Sequence, residues 1–291
     1  MSQKDSVIPF VFETLPVRGS IVQLDGAWQR MQLGHDYVRP AAEILGHAAA
    51  ATALIAQSLK FDGTVTLQIS SDGPLGMLVM QSTDELHLRG MVTAKKVDES
   101  TTFAELAADA HCAVTVDAGA MEQPYQGIVE MDSESLARSL ENYFSRSVQV
   151  PSHLKLCTAD THCGGILLQH LPGADEALPE DDWRRLGLLA GTLRASDLVA
   201  GATPDLLKKL FAEDDVRVFR SRELHFRCRC SQSRVEEVLR LLGEAETRAA
   251  LDEQGEIEVT CEYCGKMRTF DAVDVSRVFA GQAVTGSDAV H

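Results

Sequence analysis

Apolar side chains along this chain keep two different rhythms. Val65-Thr66-Leu67-Gln68-Ile69-Ser70 and Gly76-Met77-Leu78-Val79-Met80-Gln81 alternate on either side of an Asp72-Gly73-Pro74 turn. Successive strand side chains point to opposite faces, so this alternation predicts a pair of half-buried strands. Segments 87–92, 112–116 and 125–130 read as further strands, and residues 1–19 alternate like an edge strand. Segment 40–59 is instead alanine-rich at helical spacing, and its small residues suit close packing on a sheet. Segment 133–144 reads as a second helix, with Ser133 as its cap and Leu136, Leu140 and Tyr143 on one face. An α+β domain follows, a sheet with helices on one side.

The rhythm changes downstream. Between residues 175 and 227 the density of charged residues about doubles, while Trp183, Leu186, Leu189, Ala190 and Leu193 recur at helical spacing. Leu198 with Ala202, and Leu206, Leu207 and Leu210, do the same. Isolated amphipathic helices are marginal in water, so these need a docking surface. Three regions result: a core over residues 1–174, an amphipathic helical linker over 175–227, and a small C-terminal module over 228–291. Its last residues, 286–291, are polar and expected to be unstructured.

The module holds the most telling residues. Cys228 and Cys230 form a C-x-C pair, Cys261 and Cys264 a C-x-x-C pair, with about 30 residues between the pairs. Two short cysteine pairs supply four soft ligands at tetrahedral corners, the coordination zinc prefers. Glu256-Ile257-Glu258-Val259-Thr260 and Lys266-Met267-Arg268-Thr269-Phe270 both alternate, so the second pair sits at the tip of a hairpin. Gly265 there meets the need for positive φ after a C-x-x-C turn. Between the pairs, Ser233-Arg234-Val235-Glu236 has the form of a capping box opening a helix through Val235, Val238, Leu239 and Leu242, and a second helix is expected over 244–251.

Such a site ordinarily staples a domain too small to be stable on its own core. The C-x-C pair points further, because Arg222, Arg227, Arg229 and Arg234 surround it in sequence, and positive neighbours favour thiolates that bind metal and react with oxidants.

The segment Phe226-Arg227-Cys228-Arg229-Cys230-Ser231, the helix Arg234-Val235-Glu236-Glu237-Val238-Leu239 and the run Gly255-Glu256-Ile257-Glu258-Val259-Thr260-Cys261-Glu262-Tyr263-Cys264 resemble the thirty-three-kilodalton heat-shock proteins, redox-regulated chaperones of the bacterial cytoplasm. So do Tyr143-Phe144-Ser145-Arg146-Ser147-Val148-Gln149-Val150-Pro151, Gly164-Gly165-Ile166-Leu167-Leu168-Gln169 and Glu213-Asp214-Asp215-Val216-Arg217. The resemblance implies a holdase that is inactive when reduced and holding one zinc ion. It further implies that hypochlorous acid, or peroxide with heat, forms Cys228–Cys230 and Cys261–Cys264 disulfides, ejects zinc, unfolds the linker and favours a homodimer that binds unfolding clients.

Composition narrows the alternatives. A formal net charge of −16 disfavours binding to nucleic acid or to anionic membrane surfaces. The most apolar stretch, 44–55, is too short to span a bilayer. Seven cysteines would leave an odd thiol in an exported protein, so a reducing cytoplasm is expected. Without a phosphate-binding glycine loop, the activity is expected to be independent of ATP, and the resemblance implies that the chain is not an enzyme. A thiol-disulfide oxidoreductase is disfavoured because Cys261 follows a strand pattern. A zinc-stabilised acidic adaptor without redox switching remains the alternative. Cys112 is expected to be a buried small hydrophobe, Cys157, His162 and Cys163 lack a fourth metal partner, and neither His35-Asp36 nor His111-Cys112 forms a dyad.

Overall fold

The computed structural model describes residues 5–119, 123–171, 178–199 and 203–280. Ala202 and the tail 286–291 therefore lie outside the described residues. The chain divides into two compact units, Met1–Arg227 and Cys228–His291.

The first unit opens with strands β1 (Ser6–Phe12) and β2 (Val17–Leu24) and helices α1 (Gly26–Gln32) and α2 (Arg39–Ser58). A meander β3 (Thr64–Ser70), β4 (Met77–Thr83), β5 (His87–Thr93) follows, then helix α3 (Phe103–Ala107) and strands β6 (His111–Asp117) and β7 (Tyr125–Val129). Helix α4 (Leu136–Tyr143) runs into a π-helical turn (Phe144–Val148) before strands β8 (Ser152–Thr158) and β9 (Cys163–His170). Helices α5 (Glu180–Gly191), α6 (Ala195–Val199) and α7 (Thr203–Leu210) and the short strands β10 (Val216–Val218), β11 (Arg222–Glu223) and β12 (His225–Phe226) complete it.

These strands form two six-stranded sheets, not one. The first runs β10-β1-β2-β9-β8, with β11 also on β1, and the second β12-β5-β4-β3-β6-β7. Helix α2 contacts β2, β8 and β9 of the first sheet and β3, β4 and β5 of the second. Ala48, Ala49, Ala50, Ala51 and Ala53 are fully buried along it, and small side chains are what let a helix lie this close to two sheets. At Gly46 there is no room for a side chain: a Cβ there would stand 2.5 Å from the Thr158 hydroxyl. The expectation of helices on one side of a single sheet is thus corrected. Segment 1–19 is corrected too: its described part forms two strands, and β1 is paired on both edges, by β2 and by β10 and β11. The cap of α4 is Ser135, which accepts the Arg138 N–H, and not Ser133.

The first sheet is a middle layer. Val7 and Val22 face the α2 side, whereas Ile8, Phe10, Phe12, Ile166 and Leu168 face Leu186, Ala190, Leu193, Leu198, Leu207 and Phe211 of the 175–227 segment. Phe211 lies 5.0 Å from Phe12 between ring centroids, edge to face. Polar ties flank this apolar contact. Gln23 Nε2 donates to the Leu198 carbonyl at 2.6 Å, and Arg185 forks onto the Asp214 carboxylate at 2.8 and 2.7 Å.

The second unit contains helices α8 (Gln232–Leu242) and α9 (Glu244–Gln254), a hairpin of β13 (Ile257–Thr260) and β14 (Met267–Phe270), and helix α10 (Ala272–Ala280). Its buried core is Leu239, Leu251, Phe270, Val275, Val278 and Phe279.

Candidate metal centre

The four cysteines are brought together by two local structures. Cys228 and Cys230 lie between β12 and α8, whose first turn is capped by Ser231 accepting the Arg234 N–H at 3.2 Å. Ser231 therefore replaces Ser233 as the cap, and Ser233 instead shares a hydroxyl contact with it at 2.8 Å. On the other side the hairpin pairs Thr260 with Met267, and its tip folds as a knuckle. Cys261 N–H donates to Lys266 O at 3.1 Å, Gly265 N–H to Cys261 O at 2.8 Å, and Gly265 has φ +64°, as the spacing predicts.

All four sulfurs lie within 4.8 Å of one another, with 3.6 Å between Cys228 and Cys261 and 3.5 Å between Cys230 and Cys264. A tetrahedral zinc with Zn–S bonds of about 2.3 Å places its sulfurs about 3.8 Å apart, so the donor set fits that ion. Among the described residues no other three His, Cys, Asp or Glu side chains converge in this way. Charge points in the same direction. Four thiolates this close repel one another unless a cation compensates them.

The electrostatics are uneven across the cluster. Burial pushes the Cys228 and Cys264 thiols up. Burial also acts on Cys230, but there it is outweighed by the Arg268 guanidinium, 3.7 Å from the sulfur, and by the neighbouring sulfurs, which bring it down to about 7. Arg268 is the basic group that sequence proximity missed. It sits on β14 opposite Val259, and only the hairpin register carries it to the C-x-C pair. Arg222 is turned elsewhere, to the Gln57 side chain and the Asp84 carbonyl, and Arg234 donates to Arg229 O at 3.2 Å.

The remaining cysteines are kept apart. Cys112 on β6 is buried, which pushes its thiol up to about 12. Cys157 donates to the Leu193 carbonyl at 3.3 Å beneath the 175–227 segment, and burial raises it to about 11. Cys163 lies one register step away on β9, but it belongs to the α2-side cluster, so the two thiols occupy opposite faces of the sheet. His162 is held by the Ala195 carbonyl at 2.9 Å. His111 is exposed while Cys112 is buried, and His35 stacks on Tyr37 at 4.8 Å. Among the described residues no helix is long and apolar enough to cross a membrane.

Known proteins resemble this chain along nearly its whole length. The family model described as Hsp33 protein matches residues 5–271. A 33 kDa chaperonin of Nitrosococcus oceani is 37% identical over 282 residues, 97% of this chain and 96% of that protein. Another from Methylobacillus flagellatus is 36% identical over 293 residues, covering both chains in full. The crystal structure of a 33 kDa chaperonin from Thermotoga maritima superposes with a TM-score of 0.80 at 24% identity, over 96% of this chain and 99% of that one, and so shares the fold. A match running from the first described residue through the knuckle to the end of the β13–β14 hairpin, repeated by full-length relatives, places this chain in the Hsp33 family of chaperones.

Proposed function

We propose that this chain is a redox-regulated holdase of the cytoplasm, working without ATP and without enzymatic turnover, divided into a core (1–174), a metastable linker (175–227) and a switch module (228–291). The observation that carries the reading is the convergence of four free thiols within 4.8 Å in a unit whose core, among the described residues, buries only six apolar side chains. Cys228, Cys230, Cys261 and Cys264 would together hold one zinc ion, which in small peptides supplies about 10 to 16 kcal/mol of apparent folding free energy.

Oxidation removes the ligands. Hypochlorous acid, or peroxide with heat, joins Cys228 to Cys230 and Cys261 to Cys264. Each new S–S bond gives two electrons to the oxidant, which leaves as chloride and water or as two waters. Disulfide sulfurs carry no thiolate charge, so the metal is released and the module loses its main support. The chain is continuous from β12, tied through Arg227 N–H to Leu88 O at 2.9 Å, into Cys228, so loosening the module loosens the end of the linker. The linker then lifts from the first sheet and exposes Phe10, Phe12 and Ile166 together with its own Leu186, Leu207 and Phe211. Unfolding clients bind this apolar surface, and pairing of two activated copies covers part of it.

The test is suppression of aggregation of a chemically unfolded client by reduced zinc-loaded protein and by oxidised protein, with zinc release followed by a chromogenic chelator in the same samples. Release of zinc together with gain of activity is expected. Equal activity in both states overturns the switch, and zinc that persists through oxidation with partner binding unchanged favours the acidic adaptor.

A further inference from the structure

Helix α2 ends at Ser58, and beside that end the α2-side face of the first sheet carries a cavity of about 190 Å³. Pro9, Val11, Leu167 and Phe219 give it apolar walls. Phe219 is fixed there by its N–H, which donates to the Pro9 carbonyl at 2.9 Å. The space is smaller than a drug-sized pocket but larger than the roughly 150 Å³ that accommodates benzene, so it suits a ligand of a few carbons.

The polar groups on its walls are mainly donors. Arg18 on β2 lies opposite Gln169 on β9, and its Nη2 donates to the Gln169 Oε1 at 2.9 Å. Gln169 is only 4% exposed; its Nε2 donates in turn to the Ser152 hydroxyl at 3.4 Å, which donates to the Val150 carbonyl at 2.9 Å. This buried relay holds the guanidinium by one nitrogen and leaves the other N–H groups of its fork for a partner. Gln57 accepts from Arg222 through Oε1 at 3.0 Å, so what it can offer the cavity is its amide N–H. Ser20, also buried, adds a hydroxyl.

No carboxylate lines this cavity. Among the described residues neither Arg18 nor Arg222 pairs with an acidic side chain, which is the more telling in a chain of net charge −16. The C-terminal end of α2 opposes an anion with about half an elementary charge. Two guanidiniums outweigh it, and the Ser58 hydroxyl already meets one of the end carbonyls, Ile55 O, at 2.8 Å. We propose that the cavity binds a carboxylate on a short apolar stem, with the carboxylate on Arg18 and accepting from Gln57 and Ser20, and the stem against Val11, Leu167 and Phe219. A free short-chain acid and the C-terminus of a polypeptide ending in an apolar residue share this chemistry.

The experiment titrates the full-length, reduced, zinc-loaded protein with valerate and with Nα-acetylleucine, using valeramide as the neutral isostere and butylammonium as the cationic control. The Arg18 Nε–H signal, assigned by its loss in Arg18→Gln, and the Leu167 methyl signals report occupancy. Saturable shifts with the two carboxylates and none with either control are expected. Arg18→Gln, followed through Leu167, should bind about tenfold more weakly, as the loss of a charge-assisted hydrogen bond predicts. Its melting temperature checks the fold; should it unfold, Ser20→Ala, which deletes one hydroxyl and should weaken binding about threefold, decides in its place. Tighter binding of Nα-acetylleucine assigns the site to polypeptide C-termini, and tighter binding of valerate assigns it to free acids. The proposal is overturned by equal shifts with valeramide or butylammonium, by carboxylates that never shift Arg18 or Leu167, or by an unchanged affinity in the folded variant.

Discussion

In the N-terminal unit Trp28, Leu45, Leu54, Leu67 and Ile69 are essentially without solvent contact and belong to one cluster that extends from Val7 to Leu224. Among its described residues the C-terminal unit closes over six buried apolar side chains and leaves Val238, Leu241 and Leu242 more than half exposed. One region is stabilised by the burial of many side chains, each fully buried large one worth about 1.5 to 3 kcal/mol, so no single chemical event removes its support. On the proposed reading the other depends on four sulfurs. A chain that joins the two would then carry a robust apolar surface and a module whose fold is conditional on thiol chemistry.

Removing the metal ligand set is the most severe way to test that contrast. Chelation at neutral pH, or Cys261→Ser, should unfold the module, since about 10 to 16 kcal/mol of metal-linked stability exceeds what so small a core retains. Hydrogen exchange is the check: protection along α8, α9 and α10 should collapse while the amides of α2 keep theirs. Equal loss in α2 would mean that the two regions do not differ as described.

The linker surface is the next largest effect. Phe211→Ala removes a ring that is 1% exposed and meets Phe10 and Phe12, at an expected cost of about 3 to 5 kcal/mol. Cys157, covered by the Leu193 carbonyl, then becomes a reporter, and its alkylation should accelerate in the variant. The reduced, zinc-loaded variant should also suppress client aggregation without oxidant. Faster labelling with no activity would show that the masked surface lies elsewhere.

Much of this was legible in the amino-acid sequence, and the parts that were not share a cause. The strands of the β3–β5 meander, the alanine-rich α2 and the knuckle at Cys261 and Cys264 rest on local periodicity and turn chemistry. Strand β9 gave no such signal, because Gly164 and Gly165 are poor strand formers and the strand is buried on both faces, so nothing alternates. Both misplaced caps are serines two residues from the true one, Ser133 beside Ser135 and Ser233 beside Ser231; composition cannot choose between neighbours that differ only in which hydroxyl reaches an N–H. Arg268 was hidden because strand pairing, not chain proximity, brings it to Cys230.

Those two caps also provide a matched pair. Ser135→Ala and Ser231→Ala each delete one hydroxyl-to-amide bond at a helix start, worth about 1 kcal/mol. Against the deep core the first should leave chelator resistance unchanged. The second acts on the unit with little reserve and should raise the rate of zinc loss to a competing chelator several-fold, measurable by the chelator's absorbance. Identical rates would place the module's reserve well above what its core suggests.

The smallest effect concerns how the linker rests on the core. The His153 ring on β8 stacks on Trp183 of α5 at 4.1 Å, lies where a Cβ on Gly187 would meet it at 2.5 Å, and has Glu141 at 3.9 Å. Burial holds its pKa below the usual histidine value; the backbone of Trp183 opposes that and the charge of Arg138 adds to it. A base whose pKa is lowered on docking stabilises the docked state fully above its free value, about 6.5, and loses that contribution as pH falls from there through the docked pKa. Mild acid should therefore loosen α5, even though Glu141 and the Trp183 ring would each attract an imidazolium. Cys157 alkylation, taken as the ratio of wild type to His153→Gln at each pH so that thiol ionisation cancels, should rise between neutrality and the acid side of 6.5. A flat ratio would show that Glu141 and Trp183 compensate the charge in place, and that the linker's grip on the first sheet is set by apolar contact alone.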